Sequence, residues 1–530
     1  MRLARAGLVV KTPWLGLGLG LLAAIWAHVA IAVGGFDVGV FDPSLRLVEA
    51  NYAARGLKTY GDFGLVYPPW VPWFYGSLLR LWAPGQVVVA HALVSFSLVL
   101  LLAWRLFRLA PEYKHETAAI VLAVFGVILP VSSQVIGVPV DTLALLPLTV
   151  VLTIEVLQHG SGLARLFALA GIGLVQTLNR WDWPFAISVF LLGWAAAAAI
   201  VATMPQLVSA DGRAVLRRDA LRLAAAAGAM ACGIVAAAVL IVLITWGDGT
   251  FKDAVLFIFQ VPLRILPYRH LPIPAPRGAN VQWLLNASSV CLVVLAGYLA
   301  LTKTTRQDRA NIVFRTGILV LPCVALLPYA VTRADAFHFV ALVPPVVTAA
   351  LVGRTMWQSR PAKLLLALAI AIIIVPSAFR TLHYVVRTRA VPPTNFSLQR
   401  ERAATAACNA LVPANAKSLF VGQVRYDLYS TNLPIFYLLQ PKLDPASPFI
   451  DDEPGLQNTC DMGARIGENI KGAKRPVVLI LDTQPANVEP NAMRTMKSCG
   501  KIEAAIASLK PVTVGTCALG DRTLKVQVAE

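Results

Sequence analysis

The residues of this chain that could do chemistry are aspartates placed where long apolar runs begin or end. A carboxylate is costly inside a bilayer, so acids at these positions are candidates for function. A carboxylate within hydrogen-bond reach of a hydroxyl can accept its proton while the hydroxyl oxygen attacks another carbon. Glu155 is an exception, near the far end of its apolar run. The aspartates concerned are Asp37, Asp42, Asp62, Asp141, Asp182 and Asp335.

Asp42 begins the most informative stretch, residues 42–69, which lies between the first two apolar runs. After Asp42, apolar residues recur at helical spacing as far as Arg55, and Pro43 suits a first helical position. Gly56 predicts the end of this helix. Asp42 is therefore a candidate general base, or an ordinary cap of the helix N-terminus.

Two further acids could serve the same site. Asp141 opens another apolar run. It could bind the acceptor molecule whose hydroxyl attacks, complete an acidic pair with Asp42, or cap a helix. Asp62 could contact a sugar or accept hydrogen bonds from backbone amides. Of these two roles for Asp62, we favour the second.

Basic residues near aromatic rings suggest a phosphate. Arg180 and Asp182 separate two apolar runs and alternate with the indoles of Trp181 and Trp183. The guanidinium could bind the phosphate of a sugar phosphate while the ring faces contact the sugar. An interfacial aromatic belt with an Arg–Asp pair explains the same residues equally well.

A second basic stretch lies between two later apolar runs. Arg333 could stabilise a departing phosphate, and Asp335, two residues away, could orient it. His338 could assist if it is protonated, although a lone histidine at such a place is more often satisfied by local groups. The basic loop 247–282 is expected to lie on anionic headgroups or to cover a lipid entry.

The composition is that of a polytopic membrane protein. The chain has 530 residues, of which 57% are hydrophobic and 14% charged, against about a quarter charged in soluble proteins. The net charge of +18 is explained by basic cytoplasmic loops, and we expect no nucleic-acid partner because no separate basic domain exists. The first apolar run is long enough to span, so we expect no cleavable signal peptide.

We predict eleven spans, with the N-terminus in the cytoplasm. Lysine and arginine concentrate in the loops that this orientation places inside, and the chain after residue 380 then lies outside. We therefore expect a membrane domain over 1–380 and a soluble domain over 381–530. The predicted limits of the spans are 13–34, 87–107, 117–133, 142–158, 164–179, 184–204, 223–246, 283–302, 314–331, 337–352 and 363–380.

The segment 381–530 predicts a small α/β domain, with strands at 418–423 and 476–482 and a terminal strand pair within 511–528. Helices are expected at 456–470 and 491–509. Four cysteines in a domain facing an oxidising compartment predict two disulfides, with three pairings open. Metal binding is the rival explanation, but the domain has no Cys-x-x-Cys spacing, and its one histidine, His383, lies at its very start. The cysteines are Cys408, Cys460, Cys499 and Cys517.

The first loop resembles that of the GT-C superfamily of polytopic glycosyltransferases, such as protein O-mannosyltransferases and lipid A aminoarabinose transferases. These carry an acidic residue after the first span, and many bacterial members continue with a helix ending in Gly, then Tyr-x-Asp-Phe, then Pro-Pro. Here Asp42, Gly56, the run Tyr60-Gly61-Asp62-Phe63 and Pro68-Pro69 follow in that order. Pro43 departs from the pattern, because many members have a second acid there.

The resemblance implies a mainly α, polytopic GT-C-like bundle in the bacterial inner membrane, with its C-terminal α/β domain in the periplasm. The donor would be a polyprenyl-phosphate sugar, and the acceptor a glycan, lipid or protein. Asp42 would accept the proton with inversion at the sugar, while Arg333, with Arg180 or Lys58, would stabilise the leaving phosphate. No cofactor is certain, and a divalent cation stays open.

Two other classes of function remain open from the sequence. One is a membrane oligosaccharide polymerase or ligase, which is less favoured because the large soluble part here is C-terminal instead of a central loop. The other is a transporter or a scaffold without catalytic activity. A transporter would place ionisable groups near the midplane and often shows repeated halves, and we find no convincing repeat.

Overall fold

The computed structural model is mainly helical, with a small sheet in its C-terminal part. The residues it describes are 42–65, 67–82, 84–109, 117, 120–121, 124, 138–206, 208–266, 281–302, 306–327, 342–357, 359–388, 399–426, 433–451, 456–457, 459–483, 499–520 and 522–530.

The helices ahead of the sheet follow the apolar runs of the sequence. Two short stretches, Val71–Tyr75 and Leu256–Gln260, are π-helical. The α-helices are Asp42–Ala54, Gly76–Leu79, Pro84–Leu109, Val138–His159, Leu163–Asn179, Asp182–Val201, Ala210–Gly247, Phe251–Val255, Val261–Ile265, Val281–Thr302, Arg306–Ala325, Val343–Met356 and Arg360–Thr388.

Among the described residues, three helices are long and apolar enough to cross a membrane: Asp182–Val201, Ala210–Gly247 and Leu284–Thr302. Each coincides with a predicted span. Most other predicted spans coincide with helices that are too short or not apolar enough to be counted, or that the structure describes only in part. The first predicted span, 13–34, lies outside the described residues, so the total of eleven stays a prediction.

Several helices extend beyond the spans predicted for them, and two of them show why. Ala210–Gly247, called the long helix below, begins well before residue 223 and includes arginines that the sequence assigns to a cytoplasmic loop. Arg360–Thr388 continues past residue 380. Hydropathy marks where side chains stop being apolar, whereas the backbone continues a helix through good helix formers such as Ala, Leu and Arg.

The described residues fall into two compact units. The first unit comes from the segments 89–238 and 273–392, and the second from 36–88, 239–272 and 393–530. The first unit is a helical bundle whose core is aliphatic, with residues such as Leu102, Val151 and Val346 fully buried. The predicted domain boundary at residue 380 stays a prediction.

The second unit joins three segments that are distant in the sequence. The first contains Asp42–Ala54, called the loop helix below. The second contains the end of the long helix and the short helices that follow it, and the third is the C-terminal domain. The C-terminal helices are Gln399–Asn409, Ile435–Leu439, Cys460–Gly472 and Lys501–Ser508.

The C-terminal domain contains five strands: Ser418–Gln423 (β1), Asp444–Pro445 (β2), Val477–Asp482 (β3), Val512–Leu519 (β4) and Arg522–Ala529 (β5). Their order in the sheet is β2-β1-β3-β5-β4. β1 pairs in parallel with β2 and β3, whereas β5 is antiparallel to β3 and β4. The predicted buried strands and the terminal strand pair are confirmed, because continuous apolar runs identify strands covered on both faces.

The four cysteines of this domain form two disulfides, as predicted, and the structure selects one of the three pairings. Cys408 pairs with Cys517, and Cys460 with Cys499, with Cα–Cα distances of 5.2 and 5.1 Å. The first bridge ties the helix Gln399–Asn409 to β4, which is an edge strand.

Candidate functional site

The loop helix forms where the spacing of its apolar residues predicts it. Leu45, Val48 and Tyr52 are all buried, but so is every residue between Leu45 and Ala50, so the helix packs on more than the predicted stripe. The helix ends at Gly56, whose φ of +86° lies in the left-handed region. The amide of Gly56 bonds to Ala53 O and that of Leu57 to Tyr52 O, both at 3.0 Å, a Schellman motif that satisfies the last carbonyls.

Asp42 is the first residue of the loop helix. This residue stands at the end of the helix where the dipole favours a negative charge. Its side chain lies outside the described residues, so both roles for Asp42 stay predictions.

Asp62 closes the turn that follows the loop helix. Its carboxylate accepts a hydrogen bond from the backbone amide of Lys58 at 2.7 Å, and its own amide donates to Lys58 O at 2.9 Å. The turn places Tyr60 at a φ of +71°, an uncommon conformation for a residue with a side chain. The predicted backbone hydrogen bond to Asp62 is therefore present in the structure.

Lys58 is brought next to Asp62 by this turn, and its side chain is held in place. Its ammonium group donates to the backbone oxygen of Asp248 at 2.9 Å, just beyond the end of the long helix. Both Lys58 and Asp62 are exposed. The lysine therefore joins the first loop to the end of a candidate span while remaining accessible to solvent.

Tyr60 and Phe63, the aromatic residues of the family-like stretch, are fully buried. The Tyr60 hydroxyl donates to the backbone oxygen of Tyr67 at 3.1 Å, and burial raises the pKa of Tyr60 well above its ordinary value. The hydroxyl therefore keeps the proton that this bond needs. Phe63 lies 5.6 Å from the ring of Tyr52, so the stretch packs against the loop helix.

A buried ion pair supports the same loop, and the sequence analysis missed it. Arg46 donates from Nη1 to both carboxylate oxygens of Glu49 at 2.9 Å, and both residues are buried. The guanidinium carbon lies 4.7 Å from the centre of the Tyr67 ring. The spacing of three residues between opposite charges on a predicted helix was the available signal.

The C-terminal domain holds the loop helix at its far end. Arg55 binds Asp444 at 3.1 Å and the backbone oxygen of Leu443 at 3.1 Å. The amide of Gly64 donates to Pro448 O at 2.7 Å, and the ring of Tyr52 lies 6.4 Å from that of Tyr437. The loop that carries Asp42 is thus part of a folded unit with the terminal domain.

Arg180 and Asp182 come together in the first unit. The guanidinium makes two contacts of 3.1 Å with the carboxylate, from Nε to Oδ1 and from Nη2 to Oδ2. Its carbon lies 4.8 Å from the centre of the Trp183 ring. The Arg–Asp pair that belongs to the aromatic-belt explanation is therefore present. Phosphate binding by Arg180 stays a prediction.

The remaining candidates are not described in atomic detail. Asp141 lies in the first turns of the helix Val138–His159, but its side chain is outside the described residues. Arg333, Asp335 and His338 lie wholly outside them. Their proposed roles stay predictions.

Glu155, the acid set apart by its position, belongs to an ion-pair cluster. Its Oε2 atom lies 2.9 Å from Nη1 of Arg105 and 3.5 Å from Nε of Arg165. These two arginines offset the charge of a carboxylate that is only 4% exposed. Within the part of the chain that the structure describes, no group of three or more His, Cys, Asp or Glu side chains could hold a metal ion.

The chain was compared with protein-family models, with curated proteins and with solved structures, and no match was found in any of the three. The resemblance to the GT-C superfamily therefore rests on the residues of the first loop. The folded state of that loop is the structural observation that bears on it.

Proposed function

We propose that this chain is an integral membrane glycosyltransferase of the GT-C type. It would transfer a sugar from a polyprenyl-phosphate carrier to a glycan, lipid or protein at the outer face of the bacterial inner membrane. The observation that carries the proposal is the first loop, which is built around buried Tyr60 and Phe63 and begins at Asp42. A simple connector between two spans does not need such a core.

The chemistry follows from placing a carboxylate beside the acceptor hydroxyl. The hydroxyl oxygen forms a bond to the anomeric carbon while its proton passes to Asp42. The bond from that carbon to the phosphate oxygen breaks, and the lipid phosphate leaves with the electron pair. Attack opposite the leaving group inverts the anomeric centre. Arg333, with Arg180 or Lys58, would stabilise the charge on the phosphate.

The placement of the C-terminal domain outside the cytoplasm is part of the proposal. Its support comes from the alternation of basic loops and from the two disulfides, since disulfides persist in oxidising compartments and are rare in the cytosol. The eleven-span topology belongs to the same proposal. Some reporter enzymes are active only in the cytoplasm. Activity of such a reporter fused after Arg389 would contradict this topology.

Profiling the lipid-linked sugars of a deletion strain would test the function and identify both substrates. The proposal predicts that one polyprenyl-phosphate sugar accumulates and that one envelope glycan, lipid or protein lacks that sugar. A plasmid carrying the intact gene should restore both. An unchanged profile under conditions in which the protein is made would contradict a glycosyltransferase function.

A further inference from the structure

The short helices after the long helix form a segment with two different faces. This segment, residues 251–266, consists of Phe251–Val255, the π-helical turn Leu256–Gln260, Val261–Ile265 and Leu266, and is called the adaptor segment below. One face is buried in the second unit through Ala254, Leu256, Phe257, Ile258, Val261 and Ile265.

The buried face holds the terminal domain and the first loop. The Phe257 ring lies 4.8 Å from the Phe449 ring and 6.3 Å from the Tyr60 ring. A Cβ atom at Gly64 would clash with the Phe257 ring, so this contact requires glycine. The Phe257 ring of the adaptor segment therefore contacts both the terminal domain and the first loop.

Two ion pairs flank this aromatic contact. Arg465 binds Asp253 at 2.8 Å, and Arg264 binds Asp461. Burial raises the pKa of Asp461, but the hydrogen bond from Arg264 and the other nearby donors outweigh it and hold the pKa below its ordinary value. Arg264, a basic residue of the loop 247–282, is thus paired with the terminal domain, and the predicted contact of this loop with headgroups stays a prediction.

The opposite face of the adaptor segment is apolar and exposed. Leu263 is 71% exposed and Leu266 is 54% exposed, and Phe259, one turn earlier, is 45% exposed. Spacings of four and three residues place the three side chains in one stripe of a helix. A stripe of large apolar side chains on the surface indicates an interaction site.

The adaptor segment starts where a candidate membrane span stops. The long helix ends in a left-handed turn at Gly249, with the amide of Thr250 bonded to Thr245 O at 2.8 Å. Three residues separate the two elements, so the adaptor begins within about 14 Å of the end of the span. In the last turns of that span, Leu243 is 66% exposed and Trp246 is 71% exposed.

We propose that the adaptor segment is a membrane-interface helix that fixes the position of the terminal domain on the bilayer. Its stripe of Phe259, Leu263 and Leu266 would lie at the boundary of headgroups and acyl chains, in the leaflet where the long helix ends. Its buried face would hold the terminal domain and the first loop at that depth.

A lipid surface is favoured over a protein partner because the adaptor segment begins three residues after a membrane-length helix whose last turns expose Leu243 and Trp246. Trp246 is of the type that concentrates at membrane interfaces. The described residues of the terminal domain expose large apolar side chains only at Val424, Val512 and Val514. This inference requires a membrane chain but does not require glycosyl transfer.

Site-directed spin labelling tests the proposal on the full chain. The free cysteines Cys232, Cys291 and Cys323 are replaced by alanine, and a nitroxide is attached at Leu263→Cys in vesicles of phosphatidylethanolamine and phosphatidylglycerol. The matched control is Val512→Cys, which is 68% exposed on a strand. Accessibility to oxygen, which dissolves in lipid, is compared with accessibility to a water-soluble nickel chelate.

We expect the label at position 263 to be several-fold more accessible to oxygen than to the nickel chelate, and the label at 512 to show the reverse. Preference for the nickel chelate at 263 would place the stripe in water and overturn the proposal. Low accessibility to both reagents would mean that protein covers the stripe and would also overturn it. If Leu263→Cys does not fold, Leu266→Cys supplies the same comparison.

Discussion

Nη2 of Arg55 lies 3.1 Å from Oδ1 of Asp444, which joins the end of the loop helix to the first residue of β2. Lys474 binds the other carboxylate oxygen at 2.9 Å. The side chains of Arg55 and Asp444 are 25% and 33% exposed, whereas that of Lys474 is 76% exposed. Arg55 is the less exposed of the two cations that bind Asp444. It should therefore stabilise the fold more than Lys474, whose charge is screened by water.

The first prediction concerns this ion pair. Arg55→Gln and Asp444→Asn should each lower the free energy of unfolding by about 1 kcal/mol, at the upper end for partly exposed pairs. In a double-mutant cycle, the two changes together should cost less than their sum. Lys474→Gln is the control and should cost less than either. Strict additivity in denaturant melts would show that the pair contributes nothing.

The second prediction concerns the end of the loop helix. Gly56→Ala should lower the free energy of unfolding by about 1 kcal/mol, because alanine is strained at a φ of +86°. No atom lies within 4 Å of the added Cβ, so any loss comes from the backbone conformation. Gly171→Ala, in a helix with equally open space, is the control and should be neutral or stabilising. Equal melting temperatures for the two variants would contradict the claim that the backbone conformation at Gly56 requires glycine.

The third prediction concerns the disulfides. The Cys408–Cys517 bridge spans 109 positions and the Cys460–Cys499 bridge 39, which correspond to about 5 and about 4 kcal/mol in the chain-entropy model. Replacing the first pair by serine should therefore destabilise the terminal domain more than replacing the second. Limited proteolysis of the two variants measures the difference. Four cysteines that alkylate without reduction in properly exported protein would contradict both bridges.

Local patterns in the sequence predict much of the secondary structure. The loop helix, its stop at Gly56, β1, β3 and the terminal strand pair follow from periodicity and from glycine, which are properties of neighbouring residues. The backbone hydrogen bond to Asp62 also lies within a single turn.

Contacts between distant segments could not be predicted in this way. Nothing near Arg55 indicates that its partner is Asp444, because the pairing depends on how the terminal domain folds. Similarly, nothing near Arg264 in the sequence indicates that it pairs with Asp461. The exposed stripe that ends at Leu266 emerges only after packing defines the buried face.

The central claim is that Asp42 accepts a proton during sugar transfer, and the substitution Asp42→Asn tests it most directly. Asparagine caps a helix about as well as aspartate, so folding should be retained, but it cannot act as the base. The matched control is Asp211→Asn, because Asp211 also lies in the first turn of a helix. Both variants are checked by thermal melting and by donor binding.

The deciding measurement is the rate of sugar transfer by purified Asp42→Asn protein in lipid vesicles, with the polyprenyl-phosphate sugar and acceptor identified from the deletion strain. The proposed mechanism predicts a fall of at least about 100-fold, with an unchanged melt, retained donor binding and near-normal transfer by Asp211→Asn. Near-normal transfer by Asp42→Asn would contradict the claim.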